Sequence, residues 1–289
     1  MTGESLLKNL KAYTNLRHLK LIKVMLDISI IIVNYNTKDF LKRCVNSLLN
    51  SISKKIQYEI ILVDNASTDG SPSAILSIKN KILNMKEILN NKNLGFSKAN
   101  NQGIKISENC RYVLFLNPDT VMKKGVLEYM VSFMDEHKDA GAATCRLIMP
   151  NGKIDDASHR GFPTPWNAFC HFAGLEKIFP KSKLFSGYSL GWENFEKIHK
   201  IDVLAGAFMI VRRVAGEEAG WWDEDYFFYG EDIEFCYQLR EKGWKIYYVP
   251  QVSILHFKGV SGGIKSVSKQ ITTASLQTKR RVTRQRFAA

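Results

Sequence analysis

The chain has 289 residues, 45% hydrophobic and 24% charged, and carries a net charge of +13. That composition excludes a disordered, collagenous or coiled-coil chain, and no apolar run approaches the roughly 18 residues that a membrane-spanning helix needs. Five scattered cysteines without a C-x-x-C pair exclude a zinc knuckle or a disulfide framework, which makes a cytoplasmic setting the expectation. The charge is uneven: residues 1–25 carry +4 and residues 258–289 carry +8, leaving a nearly neutral body. A nucleic-acid-binding domain would carry its basic stripe on the fold itself, so no nucleic acid is expected as a partner. Two basic ends suit an anionic membrane surface instead, and predict a protein peripheral to the inner face of the cell membrane.

In chain order, residues 1–26 read as a basic amphipathic extension, with leucines recurring near helical spacing. Asp27–Val33 is a short β-branched run and predicts a fully buried strand. A helix is expected over Asp39–Leu49, and a second buried strand over Tyr58–Val63. Pro72–Ile78 opens a helix, Glu87–Leu89 is a third strand, Ser97–Ile106 a helix, and Tyr112–Leu116 a fourth strand stopped by Asn117-Pro118. Residues 150–200 hold four of the seven prolines and predict long loops over one face of the sheet. Val203–Val211 is apolar, Glu231–Lys242 is helical, and Trp244–Val249 and Val252–His256 are strand-like. Alternating strands and helices predict an α/β fold, Rossmann-like, with a mainly parallel sheet and helices on both faces. The folded domain is expected over residues 27–258, followed by a basic tail over 259–289.

Ligands of such sheets bind beyond the carboxyl ends of the strands. Polar residues gather there four times: Asn34-Tyr35-Asn36, Asp64-Asn65, Asn93 to Gly95 and Asn117 to Asp119. Neither a G-x-G-x-x-G nor a G-x-x-x-x-G-K-[ST] phosphate loop is present. Asp64 at a strand tip suits a ribose hydroxyl or a base N–H, or else forms a turn. Asp69 or Ser71 can cap the next helix. Gly95 permits a tight turn, and Asn100 offers an amide to phosphate or sugar oxygens. Asp119, delivered to the sheet edge by Pro118, can hold Mg²⁺ or Mn²⁺ together with substrate phosphates. Glu231 and Asp232 open a helix, where the dipole favours negative charge, and either role, helix acid or general base, fits that position.

The ordered set I-V-N-Y-N, V-D-N-A-S-T-D-G-S, N-L-G-F-S-K-A-N-N-Q-G and L-N-P-D, followed by D-E-D-Y-F-F-Y-G-E-D-I-E-F-C-Y-Q-L-R and a late His256, resembles glycosyltransferase family 2. Within it the chain is most similar to the bacterial rhamnosyltransferase-like branch, over roughly residues 28–262. The resemblance implies a GT-A fold and inverting, metal-assisted transfer from a nucleoside diphosphate sugar, with dTDP-rhamnose the leading donor. The acceptor it implies is a lipid-linked or cell-envelope glycan. By the same resemblance Asn36 and Asp64 contact the nucleotide, and Asn93, Gly95 and Asn100 shape the diphosphate pocket; Asn34, Asn65 and Asn117, in the same strand-tip clusters, are expected to join the nucleotide-sugar site. Asp119 and His256 would serve the metal, Asp232 would be the general base with Glu231 beside it, and Gly206 and Ala207 would line the sugar or acceptor pocket, where Trp222 either stacks on a sugar ring or belongs to the core. Many relatives carry an aspartate where this chain has Asn117, so metal affinity is expected to depend on the bound donor. Two other readings compete. A G-x-S-x-G at Gly259–Gly263 suggests a hydrolase, but no acid or histidine follows it in the chain. A degenerate, non-catalytic relative that binds a nucleotide or glycan at the membrane would not need both Asp119 and Asp232.

Overall fold

The computed structural model describes residues 25–259. The basic extension and tail, apart from their innermost residues, lie outside the described residues, as does most of the G-x-S-x-G segment. Nine strands form one sheet in the order β3-β2-β1-β4-β8-β6-β9-β5, with β7 paired to β9. The first three are β1 (Leu26–Asn34), β2 (Tyr58–Asp64) and β3 (Met85–Leu89), and β4 is Cys110–Leu116. These four run parallel, as their apolar sequences predict. The other half is mixed. There β8 (Phe208–Arg212) lies antiparallel between β4 and β6 (Ala140–Ile148), while β9 (Lys245–His256) is parallel to β6. Short β5 (Thr120–Val121) and β7 (His199–Ile201) pair antiparallel with β9. The expected pair of strands at 244–256 is one strand, bent by a register shift against β6 around Pro250, a residue that sheets tolerate at bulges.

Successive strand residues point to opposite faces, and the core divides accordingly. Ile30, Ile32, Leu62 and Leu114 face α1 (Lys38–Ser51), α2 (Ser71–Lys79) and α4 (Val126–Glu136). Ile31, Ile61, Val113 and Phe115 face α3 (Phe96–Ile106), α7 (Arg213–Ala219) and α8 (Glu231–Glu241). Helices therefore cover both faces, as expected. Two short helices, α5 (Pro165–Phe172) and α6 (Leu175–Ile178), interrupt the stretch expected to be loops.

The last carbonyls of a helix need partners. At the end of α4 they meet a side chain from the sheet: Arg212 donates to Met134 O at 2.6 Å and to His137 O, at the helix cap, at 3.0 Å, and it also reaches Ala140 O, at the start of β6, at 3.0 Å. A cation at a helix C-terminus is favoured by the dipole as well. Replacing Arg212 by Met is expected to cost about 2–3 kcal/mol, because charged hydrogen bonds are lost and carbonyls are left unpaired. Urea unfolding measures it, and a loss below about 0.5 kcal/mol would show that water replaces the guanidinium without penalty.

Candidate active site

The parallel register sets Asn34 directly opposite Asp64 at the ends of β1 and β2. Both side chains are buried. Asn34 donates Nδ2–H bonds to Asp64 Oδ1 at 2.8 Å and Ser67 Oγ at 3.1 Å, and accepts from Thr37 Oγ1 at 2.6 Å. Asp64 Oδ2 accepts from Ser67 N at 2.8 Å. The pair thus shapes the two adjoining loops. Asn36, in the left-handed region at φ 54, accepts from Thr68 N at 2.7 Å and donates its own N–H to Ser67 Oγ. Asp69 receives the amide of Lys38 as well as Ser71, so it ties the first loop to the second rather than only capping a helix.

The next loop is stapled to these tips. Asn65 donates to Gly95 O at 3.0 Å and accepts from Asn90. Asn93 Oδ1 accepts from Gly95 N at 2.9 Å. Gly95 sits at φ 85, and a Cβ there would lie 2.5 Å from Phe227 O, so only glycine allows this approach. Asn100 is buried and donates to Phe96 O inside its own helix, so its amide shapes α3 rather than reaching outward. Asn117 donates its backbone N–H to Ala207 O at 3.0 Å, which joins the tip of β4 to the segment leading into β8. Gly206 has the Phe96 ring 3.1 Å from the position of an added Cβ, so the backbone there lies close against α3. Ala207 belongs to the core. Trp222 is corrected: it is 2% exposed, set edge-on against Phe96 and Phe115, and offers no ring face to a sugar. The rings of Phe96, Phe115 and Phe235 surround it.

Asp119 and His256 are brought together by the β5–β9 ladder, where Thr120 opposes His256 and Phe257 N donates to Asp119 O at 2.9 Å. Asp119 Oδ1 is buried without a hydrogen-bond partner, and His256 Nε2 lies 3.5 Å from it. The other ring nitrogen, Nδ1, is 2.9 Å from Asp155 Oδ2, and Lys258 Nζ is 2.6 Å from Asp155 Oδ1. Burial opposes ionisation of Asp155, but hydrogen bonds from His256 and Lys258 hold its carboxyl well below the usual range. Burial lowers the His256 pKa, and the Asp119 and Asp155 carboxylates outweigh it and raise it to about 9. With Nδ1–H given to Asp155, loss of the Nε2 proton would free that nitrogen to face a metal, the arrangement usual for metal-binding histidines. An orphaned carboxylate oxygen beside such a nitrogen fits a divalent cation. Among the described residues no group of three or more His, Cys, Asp or Glu is arranged as a complete metal cage. A cation held by Asp119 and His256 would take its remaining ligands from substrate oxygens, as Mg²⁺ sites commonly do.

Glu231 and Asp232 begin α8 after Gly230, which is left-handed at φ 96. Asp232 Oδ2 accepts from Arg160 Nη2 at 2.6 Å, and Oδ1 from Ile233 N at 2.9 Å. Arg160 also reaches Tyr188 Oη at 3.4 Å, and its backbone bridges to Val203. Neither Arg160 nor Asp155 was visible as a site residue in the sequence. Each is a lone charge whose partner lies far along the chain, so spacing gives no signal. Glu231 is buried with Oε2 unpaired. Burial first, and then the Asp232 carboxylate, raise its pKa.

A raised folded-state pKa means that the folded protein holds the Glu231 proton more tightly than the unfolded chain. Its stabilisation is present at low pH and is lost as pH rises from the ordinary carboxylate range through the raised value. Glu231→Gln is expected to lack that loss, so its stability relative to wild type improves between about pH 5 and about pH 8. Parallel stability profiles for the two proteins, read by urea unfolding, would contradict the assignment.

The chain is 28% identical over 245 residues to an N-acetylglucosaminyl-diphospho-decaprenol L-rhamnosyltransferase of Mycobacterium tuberculosis, covering 81% of this chain and 77% of that protein. It is 28% identical over 236 residues to rhamnosyltransferase WbbL of Escherichia coli K12, covering 79% of this chain and 82% of that protein. Among solved structures, GalNAc-T7 with UDP, GalNAc and Mn²⁺ matches with a TM-score of 0.60 at 17% identity, over 81% of this chain and 44% of that one. Residues 1–349 of S. aureus TarS in complex with UDP match with a TM-score of 0.56 at 20% identity, over 79% of this chain and 60% of that one. These likenesses are of fold, and the chain spans less than two thirds of either structure. The expected GT-A architecture is the one found. The model of the glycosyl transferase family 2 matches residues 29–195, more than half of the chain, and the chain belongs to that family of glycosyltransferases.

Proposed function

We propose that the protein transfers a sugar, with inversion, from a nucleoside diphosphate sugar to a lipid-linked or cell-envelope glycan. The leading donor is dTDP-rhamnose, on the strength of the two rhamnosyltransferase relatives. The observation that carries the reading is the shared edge of the sheet. The tips of β1, β2 and β4 lie there, joined through Asn117 and Ala207 to the strand that leads from Val203, which in turn bridges to Arg160 and so to Asp232.

In this reading the loops at Asn34–Asn36, Asp64-Asn65 and Asn93–Gly95 cradle the nucleotide and diphosphate. Backbone and amide groups do this work, since the buried side chains of Asn34, Asp64 and Asn100 already have partners within the protein. Asp119 and His256 would hold Mg²⁺ or Mn²⁺ with Asp155 behind the histidine. Bound there, the ion supplies Lewis-acid stabilisation of the departing nucleoside diphosphate. Asp232 takes the proton of the acceptor hydroxyl as its oxygen attacks the anomeric carbon. Each of its oxygens accepts one hydrogen bond and keeps a lone pair, and Arg160 fixes the carboxylate's direction. No helix among the described residues is long and apolar enough to cross a membrane, so contact with a lipid-linked acceptor would be made at the membrane surface. The basic ends would contribute by attraction to anionic lipid.

Asp232→Asn is expected to lower transfer by at least about 10²-fold, the usual reach of a general base, while donor binding measured calorimetrically stays near wild type. Equal loss of donor binding would refute the base assignment. Asp119→Ala is expected to abolish the Mn²⁺ dependence of nucleoside diphosphate binding. An unchanged response to Mn²⁺ would place the metal elsewhere.

A further inference from the structure

Among the described residues, six of the fifteen exposed large hydrophobic side chains fall within residues 166–184. They are Trp166, Phe169, Phe172, Ile178, Phe179 and Leu184, with Phe172 at 81%, Ile178 at 65% and Leu184 at 60% exposure. This stretch, carrying α5 and α6, is not a loose loop. Trp166 Nε1 donates to Leu184 O at 2.8 Å, Asn167 Nδ2 to Phe162 O at 2.8 Å, and Ser186 Oγ to Phe179 O at 2.8 Å. Its two legs touch so closely that a Cβ on Gly161 would lie 1.9 Å from Gly187 O. Phe162, Cys170 and Leu190 face inward and are buried. The aromatic side chains thus point outward from a knit scaffold that has its own apolar anchor.

The charges beside them decide what covers the face. Lys177, Lys181 and Lys183 are exposed, whereas the single acid of the stretch, Glu176, is tied to His171 at 2.7 Å. Protein interfaces are depleted in lysine at their cores, and two copies of this face would set lysines against lysines. Tryptophan and phenylalanine flanked by lysine are instead the composition of an interfacial membrane element. The position is telling as well: the leg at Arg160 pairs with Asp232, and Tyr188 on the returning leg contacts Arg160.

We propose that residues 165–184 form a membrane-docking hairpin whose aromatic tip enters the headgroup region of an anionic bilayer. This holds the acceptor side of the cleft, at Asp232, against the lipid surface. The surface is distinct from the basic ends, and the proposal rests on the glycosyltransferase reading only for the identity of the acceptor side.

The test is co-sedimentation of the full chain with vesicles of phosphatidylethanolamine and phosphatidylglycerol, and with phosphatidylcholine alone. Salt is raised to about 0.5 M to screen the basic ends. Wild type is expected to partition onto the anionic vesicles. The triple variant Phe169→Ser, Phe172→Ser, Ile178→Ser is expected to lose at least about tenfold in partitioning, since apolar insertion supplies the binding that salt does not screen. Thermal unfolding of the variant establishes that it is folded. An unchanged nucleoside diphosphate-induced shift in the same sample keeps this test separate from the donor site. Brominated lipid is expected to quench wild type more than Trp166→Phe. Equal vesicle partitioning by the triple variant, or no binding by wild type, would overturn the proposal. So would a change of oligomeric state in the variant without a change in vesicle binding, which would make the face a contact between copies.

Discussion

The register of the parallel strands is the constraint on which the rest of the molecule depends. Strands buried on both faces must be apolar throughout, so they can become polar only where they leave the sheet. The β1–β2 ladder fixes that level by pairing Asn34 with Asp64, and a hydrogen bond between those two buried side chains locks it. A slip of one residue would turn every side chain to the opposite face and separate the pair. Because the tips end together, the loops that follow them share one edge, and Asn65 and Asn90 can staple the third loop to the second. The antiparallel strand β8 then brings a later segment of the chain, through Ala207, to the same edge.

Two acidic centres stand around that edge, and their surroundings differ. Asp119 has a buried, unpaired oxygen facing a histidine that is backed by a carboxylate and a lysine. Asp232 shares its helix start with a buried glutamate and is held by an arginine. A carboxylate with an orphaned oxygen beside an imidazole nitrogen suits a cation. One oriented at the mouth of a helix with lone pairs to spare suits proton transfer. Differences in environment of this kind allow like groups to take unlike roles.

The strand runs and helices up to Leu116 and the four polar tips were legible because each is written locally, whereas the helix Val126–Glu136 and the strand Ala140–Ile148 were not read from the sequence. Five consecutive apolar residues at Tyr112–Leu116, or Asn-Pro-Asp at a strand end, need no partner to be understood. The family match rests on the same local motifs. The pairing of β9 was less legible, since Pro250 reads as a break between two strands while the sheet absorbs it as a bulge. Trp222 is open in the sequence because an aromatic beside a motif looks the same whether its ring faces solvent or Phe115. Arg160 and Asp155 were invisible for a further reason. Their meaning comes only from partners that the fold delivers, Asp232 to one and His256 to the other.

The central claim is that the strand tips form a nucleoside diphosphate site completed by a metal at Asp119 and His256. Calorimetric titration of the folded protein with dTDP and UDP, with and without Mn²⁺, tests it most directly. The account predicts saturable binding of one nucleotide that is strengthened by Mn²⁺ and that raises the unfolding midpoint, as any ligand preferring the folded state must. Absence of binding by either nucleotide, or binding indifferent to the metal, would contradict it.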